Sequence, residues 1–264
     1  ALDSLAAASH HDDLDVIVVN DGSKDGTSEI AHSYETQYPS FIRVIDKENG
    51  GYGSTINASL RAARGTYFKL LDGDDWVDPA QLDIMLEALA GASSDVIATT
   101  YDIVQDGTGS VQNVRVEGKY DGRTYPLLDY MTGQAFPMHA LAFKTKMLVE
   151  NGISITEHCY YTDYEYTVKP LLYAESISFT DADVYQYRIG REGQSVSLAS
   201  MKKNIDMAIT TSLHLASFYE EKVANSDVSA ANKRLLLTQV AASTRNKYRI
   251  PLTLAIPDEG QENF

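Results

Sequence analysis

Apolar and polar positions follow two alternating periods over the first hundred residues. Strand-length apolar runs, mostly β-branched or aromatic, lie at residues 16–19, 41–45, 67–71 and 96–99. Between these runs, residues 27–38, 54–64 and 79–89 carry apolar side chains at helical spacing. Asp78 followed by Pro79 is a typical helix start. The alternation predicts an α/β fold with a mainly parallel sheet flanked by helices.

The pattern is less regular after residue 100. A turn at residues 106–109 predicts a hairpin, followed by a short helix at 126–132 and a strand at 139–143. A helix is predicted from Tyr164, then strands at 177–180 and 184–187. From Met201 onward the spacing is wholly helical. We therefore expect a sheet domain over residues 1–197 and a C-terminal helical extension over 198–264.

Residues 1–9 have the pattern of the second half of an amphipathic helix, and the chain carries no initiating Met. A sequence that begins inside a helix is expected to be a fragment. A strand ahead of this helix is therefore expected to be missing.

Composition excludes several classes of protein. The 264 residues contain 22 Lys+Arg and 37 Asp+Glu, a formal net charge of −15, which argues against nucleic-acid binding. No apolar run approaches the roughly 20 residues that cross a bilayer. The single cysteine, Cys159, excludes a disulfide framework and a cysteine-rich zinc site, and it fits a reducing, cytoplasmic location. An anionic ligand would need a local metal ion, a helix N-terminus or a few placed arginines.

The loops that follow the first three predicted strands are rich in acids, amides and glycines. They are residues 20–27 (NDGSKDGT), 49–53 (NGGYG) and 72–76 (DGDDW). Ligands of open parallel sheets bind at the carboxyl ends of the strands, where these loops lie. The sequence therefore places a binding site at this edge of the sheet.

Asp72, Asp74 and Asp75 give the sharpest chemical signal. Three carboxylates within four residues repel one another, and a divalent cation offsets that repulsion. Hard oxygen ligands select Mg²⁺ or Mn²⁺, and open coordination positions can take a diphosphate. The alternative interpretation is a solvated acidic turn ahead of the Asp78 helix cap.

The first loop resembles a calcium-binding EF-hand only in part. Asp21 would be its first ligand, but His32 stands where a bidentate Glu is required, and a strand precedes the loop. Asp21 remains a candidate ligand-binding residue because it directly follows the strand. Gly51 lies in a glycine-rich turn that lacks the dinucleotide and P-loop motifs, and such a turn lets the backbone approach a ligand.

A second acidic cluster lies at residues 157–165. Asp163 opens the predicted helix, so the structural alternative is a helix-capping or first-turn acid. Further along, Arg188 and Arg191 lie in a glycine-containing loop. They are candidate bidentate donors to a diphosphate, with a solvated basic turn as the alternative.

Taken together, residues 18–27 (VVNDGSKDGT), the Asn49-Gly50-Gly51 loop and residues 71–76 (LDGDDW) resemble the family 2 inverting glycosyltransferases of GT-A fold, of the bacterial cell-surface polysaccharide type. The similarity extends over residues 2–197. It implies a Rossmann-like GT-A domain, a nucleotide-diphosphate sugar donor such as a UDP-sugar, and a saccharide or lipid-linked saccharide acceptor. It leaves open a peripheral association with the inner face of a membrane.

The resemblance also implies roles for individual residues. Asp21 would contact the nucleotide base and Asp72 the nucleoside, with Asn49, Gly51 and Gly73 in the nucleotide-binding loops. Asp74 would hold the metal ion that bridges the diphosphate, with Asp75 as a secondary acid.

Family members often carry a Glu-Asp pair that supplies the catalytic base. Here Thr162-Asp163 stands in its place, which makes Asp163 the preferred base. Two competing functions stay open: a sugar-phosphate nucleotidyltransferase and a non-catalytic nucleotide-sugar binding module. The nucleotidyltransferases usually carry a basic loop after the first strand, and this chain has an acidic one.

Overall fold

The computed structural model describes residues 1–130, 136–191, 194, 198–225 and 227–254. The α-helices of these residues are Leu2–Ala6 (α1), Thr27–Gln37 (α2), Tyr52–Ala62 (α3), Pro79–Leu89 (α4), Thr145–Glu150 (α5), Asp163–Val168 (α6), Leu198–Lys203 (α7), Ile205–Asn225 (α8) and Ala230–Leu254 (α9). Short 3₁₀ helices lie at His11–Asp13, Leu127–Asp129, Met138–Ala140 and Lys169–Leu172.

The strands are Val16–Asn20 (β1), Ile42–Asp46 (β2), Tyr67–Phe68 (β3), Trp76–Val77 (β4), Val96–Gln105 (β5), Val111–Val114 (β6), Thr124–Pro126 (β7), Leu141–Lys144 (β8) and Ser176–Ile189 (β9). Most predicted elements of the first hundred residues lie within two residues of these bounds. Three predictions were wrong in extent. The strand expected at 67–71 covers only Tyr67–Phe68, and the strand expected at 96–99 continues to Gln105. The two strands expected at 177–180 and 184–187 form the single strand β9.

The strands form two sheets in the described part of the chain. β1 and β2 make a parallel pair, and the larger sheet has the order β3-β8-β5-β9-β4, with β6 beside β5 and β7 beside β9. The α/β class is confirmed, but the expectation of mainly parallel pairing needs correction. Besides β1–β2, only β5–β9 is parallel among the described pairs.

The other pairs are antiparallel: β3–β8, β4–β9, β5–β6, β5–β8 and β7–β9. Parallel neighbours need a long crossover, usually a helix, whereas antiparallel neighbours can follow one another through a turn. The second half of the domain contains such short returns, including the β5–β6 hairpin.

The large sheet is buried on both faces. Along β5, Val96 and Ala98 pack into the core on one face, while Ile97 packs into the core on the other. Helix α3 contributes Ile56 to the first core, and α4 contributes Leu82 to the second. Successive strand residues point to opposite faces, so a doubly covered strand must be apolar throughout, as this run is.

A cavity of about 760 Å³ separates β1 from β3. Its lining includes Ile17 and Val19 from β1, Phe68 from β3, Ile56 from α3 and Met85 from α4. In the described residues β1 pairs with β2 alone and β3 pairs with β8 alone, so each turns one strand edge toward this cavity. We call this space the strand slot.

The C-terminal helices pack against the sheet domain. A separate apolar cluster joins Val168 and Leu172 to Leu215 of α8 and to Leu236 and Val240 of α9. The helical extension therefore rests on α6 and on the 3₁₀ helix that follows it. Among the described residues, no helix combines the length and hydropathy needed to cross a membrane.

Candidate active site

The acidic loop after β3 brings three carboxylates together. The side-chain oxygens of Asp72, Asp74 and Asp75 lie within 4.8 Å of one another. Burial, together with the neighbouring negative charges, raises the pKa of Asp72 to about 7. Burial also raises the pKa of Asp75. This crowding of oxygen ligands is a donor set that suits a hard divalent cation.

Two of these acids are held by tyrosines. The Tyr52 hydroxyl donates to Asp72 Oδ1 at 2.8 Å, and the Tyr185 hydroxyl donates to Asp75 Oδ2 at 2.6 Å. The same Tyr185 oxygen accepts the backbone N–H of Asp72 at 3.2 Å. Asp75 is only 2% exposed and also accepts the backbone N–H of Arg188 at 2.8 Å. These bonds fix the loop in place before any ligand binds.

The two candidate arginines lie beside the acidic loop. The Arg188 guanidinium stacks over the Trp76 ring, 5.3 Å from its centroid. Arg191 Nη2 lies 3.5 Å from Asp74 Oδ2, and both side chains are partly exposed. Both arginines thus lie next to the acidic loop, and their role as donors to a diphosphate stays a prediction. Gly73 is exposed, and a Cβ there would meet open space, so the fold itself does not require glycine at this position.

Asp21 organises the neighbouring glycine loop. Its carboxylate accepts the backbone N–H groups of Gly50 at 2.9 Å and Gly51 at 2.8 Å, and the Lys47 ammonium at 2.7 Å. Burial alone would raise the pKa of Asp21, but the bonds from Lys47 and the two amides outweigh it and hold the pKa below its usual value. Asn49 Nδ2 donates to the Asp21 carbonyl oxygen at 2.9 Å.

Gly51 must be glycine for two reasons. Its φ is +79°, which favours glycine, and a Cβ there would press against the backbone of His158, 3.2 Å away. The glycine loop is thus packed directly against the chain that leads to Asp163.

Asp163 begins α6, a helix whose Tyr166 hydroxyl donates to the Phe68 carbonyl at 3.1 Å, at the end of the strand that leads into the acidic loop. Its negative charge contributes to the raised pKa of both Asp72 and Tyr52. Thr162, in the position ahead of it, is fully buried, and its hydroxyl finds no hydrogen-bond partner in the described residues. The fold therefore gathers Asp163, the acidic loop and the glycine loop at one end of the sheet, although these residues are far apart in sequence.

Three residues that bind the acids of the site were not predicted from the sequence. Tyr52 and Tyr185 hold the acidic loop, and Lys47 neutralises Asp21. The excess of tyrosine, 17 residues against 7 Phe, was the available signal. Which tyrosines turn a hydroxyl toward the site depends on the packing of β9 and α3, and local sequence does not specify that packing.

Comparison with known proteins identifies the family. The family model described as glycosyl transferase family 2 matches residues 1–149. An uncharacterized glycosyltransferase of Rickettsia prowazekii, RP339, is 30% identical over 200 residues, which are 68% of this chain and 61% of that protein. EpsH of Bacillus subtilis is 28% identical over 189 residues, 67% of this chain and 53% of that protein. The chain thus spans little more than half the length of these relatives.

A solved structure supports the fold. The crystal structure of S. aureus TarS 1–349 in complex with UDP-GlcNAc superposes with a TM-score of 0.67 at 24% identity, covering 98% of this chain and 72% of that one. This likeness shows the GT-A fold. With more than half of its residues matched by the family model, the chain belongs to glycosyl transferase family 2.

Proposed function

We propose that this chain transfers a sugar from a nucleotide-diphosphate sugar to an acceptor hydroxyl, with inversion at the anomeric carbon. One observation carries the proposal: α6, which begins at Asp163, is bound through the Tyr166 hydroxyl to the Phe68 carbonyl at the end of β3, the strand that leads into the Asp72, Asp74 and Asp75 cluster. A carboxylate that can accept a proton thus lies beside a group of acids suited to a cation. In an inverting transfer the base takes the proton of the acceptor hydroxyl, and a cation beside it can stabilise the leaving diphosphate.

The donor is proposed to be a UDP-sugar. TarS is known in complex with UDP-GlcNAc, and a mannosyltransferase of Pyrobaculum calidifontis in complex with GDP-Man and Mn²⁺ has the same fold at a TM-score of 0.56. In this chain, Asp21 Oδ2 accepts one described bond, from Gly51, and keeps lone-pair capacity for an N–H of the base. Asn49, Gly51 and Gly73 would line the nucleotide, and Asp72 would contact the nucleoside.

The acidic loop is proposed to hold Mg²⁺ or Mn²⁺ through Asp74, with Asp72 and Asp75 beside it. The clustered oxygens fit such an ion, because Arg191 is the only cationic side chain with a described ion pair to these three acids. When bound, the ion supplies Lewis-acid stabilisation of the leaving diphosphate. Arg188 and Arg191 would add bidentate donors to the same phosphates.

Asp163 would accept the proton of the acceptor hydroxyl. As that oxygen bonds to the anomeric carbon, the bond to the diphosphate breaks and its electron pair leaves with the nucleotide. One displacement gives inversion without a covalent intermediate. The acceptor is proposed to be a saccharide or a lipid-linked saccharide, and the cytoplasmic location and peripheral membrane contact stay predictions.

A competing function is favoured less by the site. A nucleotidyltransferase would need cationic groups at the loop after β1 to hold a triphosphate, but residues 20–27 carry Lys24 as their one basic residue, beside Asp21 and Asp25. The neighbouring Lys47, which follows β2, is already paired with Asp21 at 2.7 Å. A non-catalytic binding module would need no base beside the acids, and Asp163 lies there. Both alternatives are outcomes of the experiment below.

Replacing Asp163 by Asn tests the function. With a panel of UDP- and GDP-sugars, Mn²⁺ and saccharide acceptors, the wild-type chain should turn over. The Asp163→Asn variant should lose about 10²–10⁴-fold in kcat. Its donor affinity, measured by calorimetry, should stay within about twofold because the base touches the acceptor. Glu150→Gln, which removes an exposed carboxylate at the end of α5, is the matched control.

Normal turnover by Asp163→Asn would remove Asp163 as the base. Binding of UDP with Mn²⁺ but no turnover by the wild type on any acceptor would favour the binding module. Release of pyrophosphate from a nucleoside triphosphate and a sugar phosphate would favour the nucleotidyltransferase.

A further inference from the structure

The chain between the glycine loop and Asp163 contains two unusual backbone positions. In residues 155–161, here called the bridge segment, His158 and Tyr161 have φ of +55° and +63°. Non-glycine residues rarely adopt this left-handed region, and they stay there only when surrounding contacts enforce it. Contacts from neighbouring elements therefore hold the bridge segment in this conformation.

Helix α3 holds the bridge segment from one side. Asn57 pairs with the backbone of Ile155 in both directions: its Nδ2 donates to the Ile155 carbonyl and its Oδ1 accepts the Ile155 N–H, both at 2.8 Å. One turn earlier, Gly53 approaches so closely that a Cβ there would collide with the Thr156 carbonyl oxygen. The Gly50 carbonyl then accepts the N–H of His158.

Helix α8 holds the same segment from the other side. The hydroxyl of Thr211, which is fully buried, lies 2.8 Å from the Met207 carbonyl and 3.1 Å from the Tyr160 carbonyl, so its single proton is shared between the two acceptors. His214 Nδ1 lies 2.9 Å from the Thr156 hydroxyl. Helix α8 therefore contacts the bridge segment as directly as α3 does.

The bridge segment is tied in turn to the helix of the proposed base. Glu165, fully buried and two residues beyond Asp163, accepts both the backbone N–H of Thr156 at 2.9 Å and its hydroxyl at 2.7 Å. The Lys169 ammonium neutralises it at 2.7 Å. A displacement of residues 155–156 would therefore move the start of α6.

We propose that the bridge segment, clamped between Asn57 of α3 and Thr211 of α8, sets the position of Asp163 relative to the bound donor. Asn57 and Thr211 are then positioning residues, acting through Asp163. The inference rests on the proposed function, and it gives the C-terminal helices a part in catalysis. Helix α3 is suited to this role because it also carries Tyr52, whose hydroxyl holds Asp72.

The test is a double-mutant cycle between Asn57 and Asp163. Asn57→Ala should lower kcat about 10–100-fold, because a misplacement of about 1 Å costs that much in an oriented reaction. Donor affinity should change less than about threefold. In the Asp163→Asn background, measured in single turnover, the same change should cost less than about threefold, since no base remains to be misplaced.

Two variants separate positioning from loss of folding. Ser59→Ala removes a buried hydroxyl that bonds only within α3, so it should leave kcat nearly unchanged and serves as the control. Thr211→Val removes the α8 contact with little change of shape, and it should lower kcat about 3–10-fold, again with donor affinity retained. Melting temperatures of all variants identify any that fail to fold.

Equal losses from Asn57→Ala in the wild-type and Asp163→Asn backgrounds would overturn the positioning role, as would a loss matched by Ser59→Ala. If Asn57→Ala does not fold, the cycle is run with Thr211→Val under the same criteria. Normal turnover by Asp163→Asn alone would instead overturn the proposed function, so the two failures are distinguishable.

Discussion

At the scale of single residues, the site depends on polar side chains that are almost fully buried. The Tyr185 hydroxyl joins the Asp75 carboxylate to the backbone of Asp72, and both Tyr185 and Asp75 are buried. A buried carboxylate costs free energy unless donors surround it. Burial and the two neighbouring carboxylates also raise the pKa of Tyr185, so the hydroxyl stays protonated and able to donate.

Replacing Tyr185 by Phe should therefore destabilise the protein while leaving the ring in place. The Asp75 carboxylate would keep only the Arg188 N–H as a described donor. Leaving a buried acceptor poorly satisfied costs about 1–3 kcal/mol in the free energy of unfolding. Urea denaturation followed by circular dichroism measures this loss.

Tyr101→Phe is the control for this prediction. Tyr101 is 7% exposed and its ring stacks on His139, and no hydrogen bond of its hydroxyl is described. Its loss of stability should stay below about 0.5 kcal/mol. Equal losses from the two variants would contradict the role given to the Tyr185 hydroxyl.

At the scale of elements, α2 is attached to the sheet by charge as well as by apolar contact. His32 of α2 lies with one ring nitrogen 2.8 Å from Glu35 and with the other 2.6 Å from Asp46 at the end of β2. Asp46 also accepts from Asn20 of β1 and Ser28 of α2. A doubly protonated imidazole can donate to both carboxylates at once. The hydrogen bond to Asp46 is the main cause of the raised pKa of His32, and the hydrogen bond to Glu35 is the second.

This network predicts a pH dependence with a definite sign. Because the pKa of His32 is raised in the folded state, its contribution to the free energy of unfolding is fully present below pH 6.5, the ordinary pKa, and is lost as the pH rises through the folded pKa. The pKa of Asp46 is lowered to about 2, mainly by Asn20 and His32. Asp46 therefore stabilises the fold above pH 3.8 and loses that contribution as the pH falls toward 2. Urea midpoints between pH 6 and 9 should therefore decline in the wild type.

The variant Asp46→Asn provides the comparison. Its urea midpoint should change less between pH 6 and 9, and NMR titration should show the pKa of His32 falling toward 6.5. An unchanged His32 titration in this variant would rule out Asp46 as the cause of the shift.

At the scale of the whole molecule, the strand slot between β1 and β3 is the main departure from a continuous sheet. The Val16 N–H bonds to Phe41, and the Asn20 carbonyl accepts from Lys47, so alternate residues of β1 face β2. The intervening Ile17 and Val19 therefore turn their peptide groups toward the slot. Apolar side chains line the same space above and below. Both features favour one additional β-strand between the two sheets.

Supplying such a strand should stabilise the protein. An extension that carries five or six apolar residues, joined ahead of residue 1 by a flexible linker, should raise the Tm by about 2–8 °C, the shift that 1–2 kcal/mol produces in a chain of this size. Hydrogen exchange should show new protection at Ile17 and Val19. The same extension with proline at alternate positions cannot pair and is the control. Equal Tm values for both extensions would contradict the prediction.

The extent of the elements shows what local sequence can specify. Helix α4 begins at Pro79 after an Asp78 cap, as predicted, and Asp78 accepts the N–H of Gln81 at 3.0 Å. Such caps and periodicities act within a few residues, and so they can be recognised from the sequence alone. Strand direction is different: β5 pairs parallel with β9, from which it is separated by some 70 residues, and nothing local distinguishes that pairing from an antiparallel one.

The sequence by itself determined the α/β class, the family, and the placing of acids and glycines after the first three strands, because these features depend on local spacing and residue chemistry. Only the tertiary structure decided that α6, which begins at Asp163, meets the end of β3 ahead of Asp72, that Tyr185 holds Asp75, and that Asn57 pairs with Ile155 across 98 positions of the chain. Contacts of this kind are set by how whole elements pack against one another, and each residue type in them is compatible with many other environments.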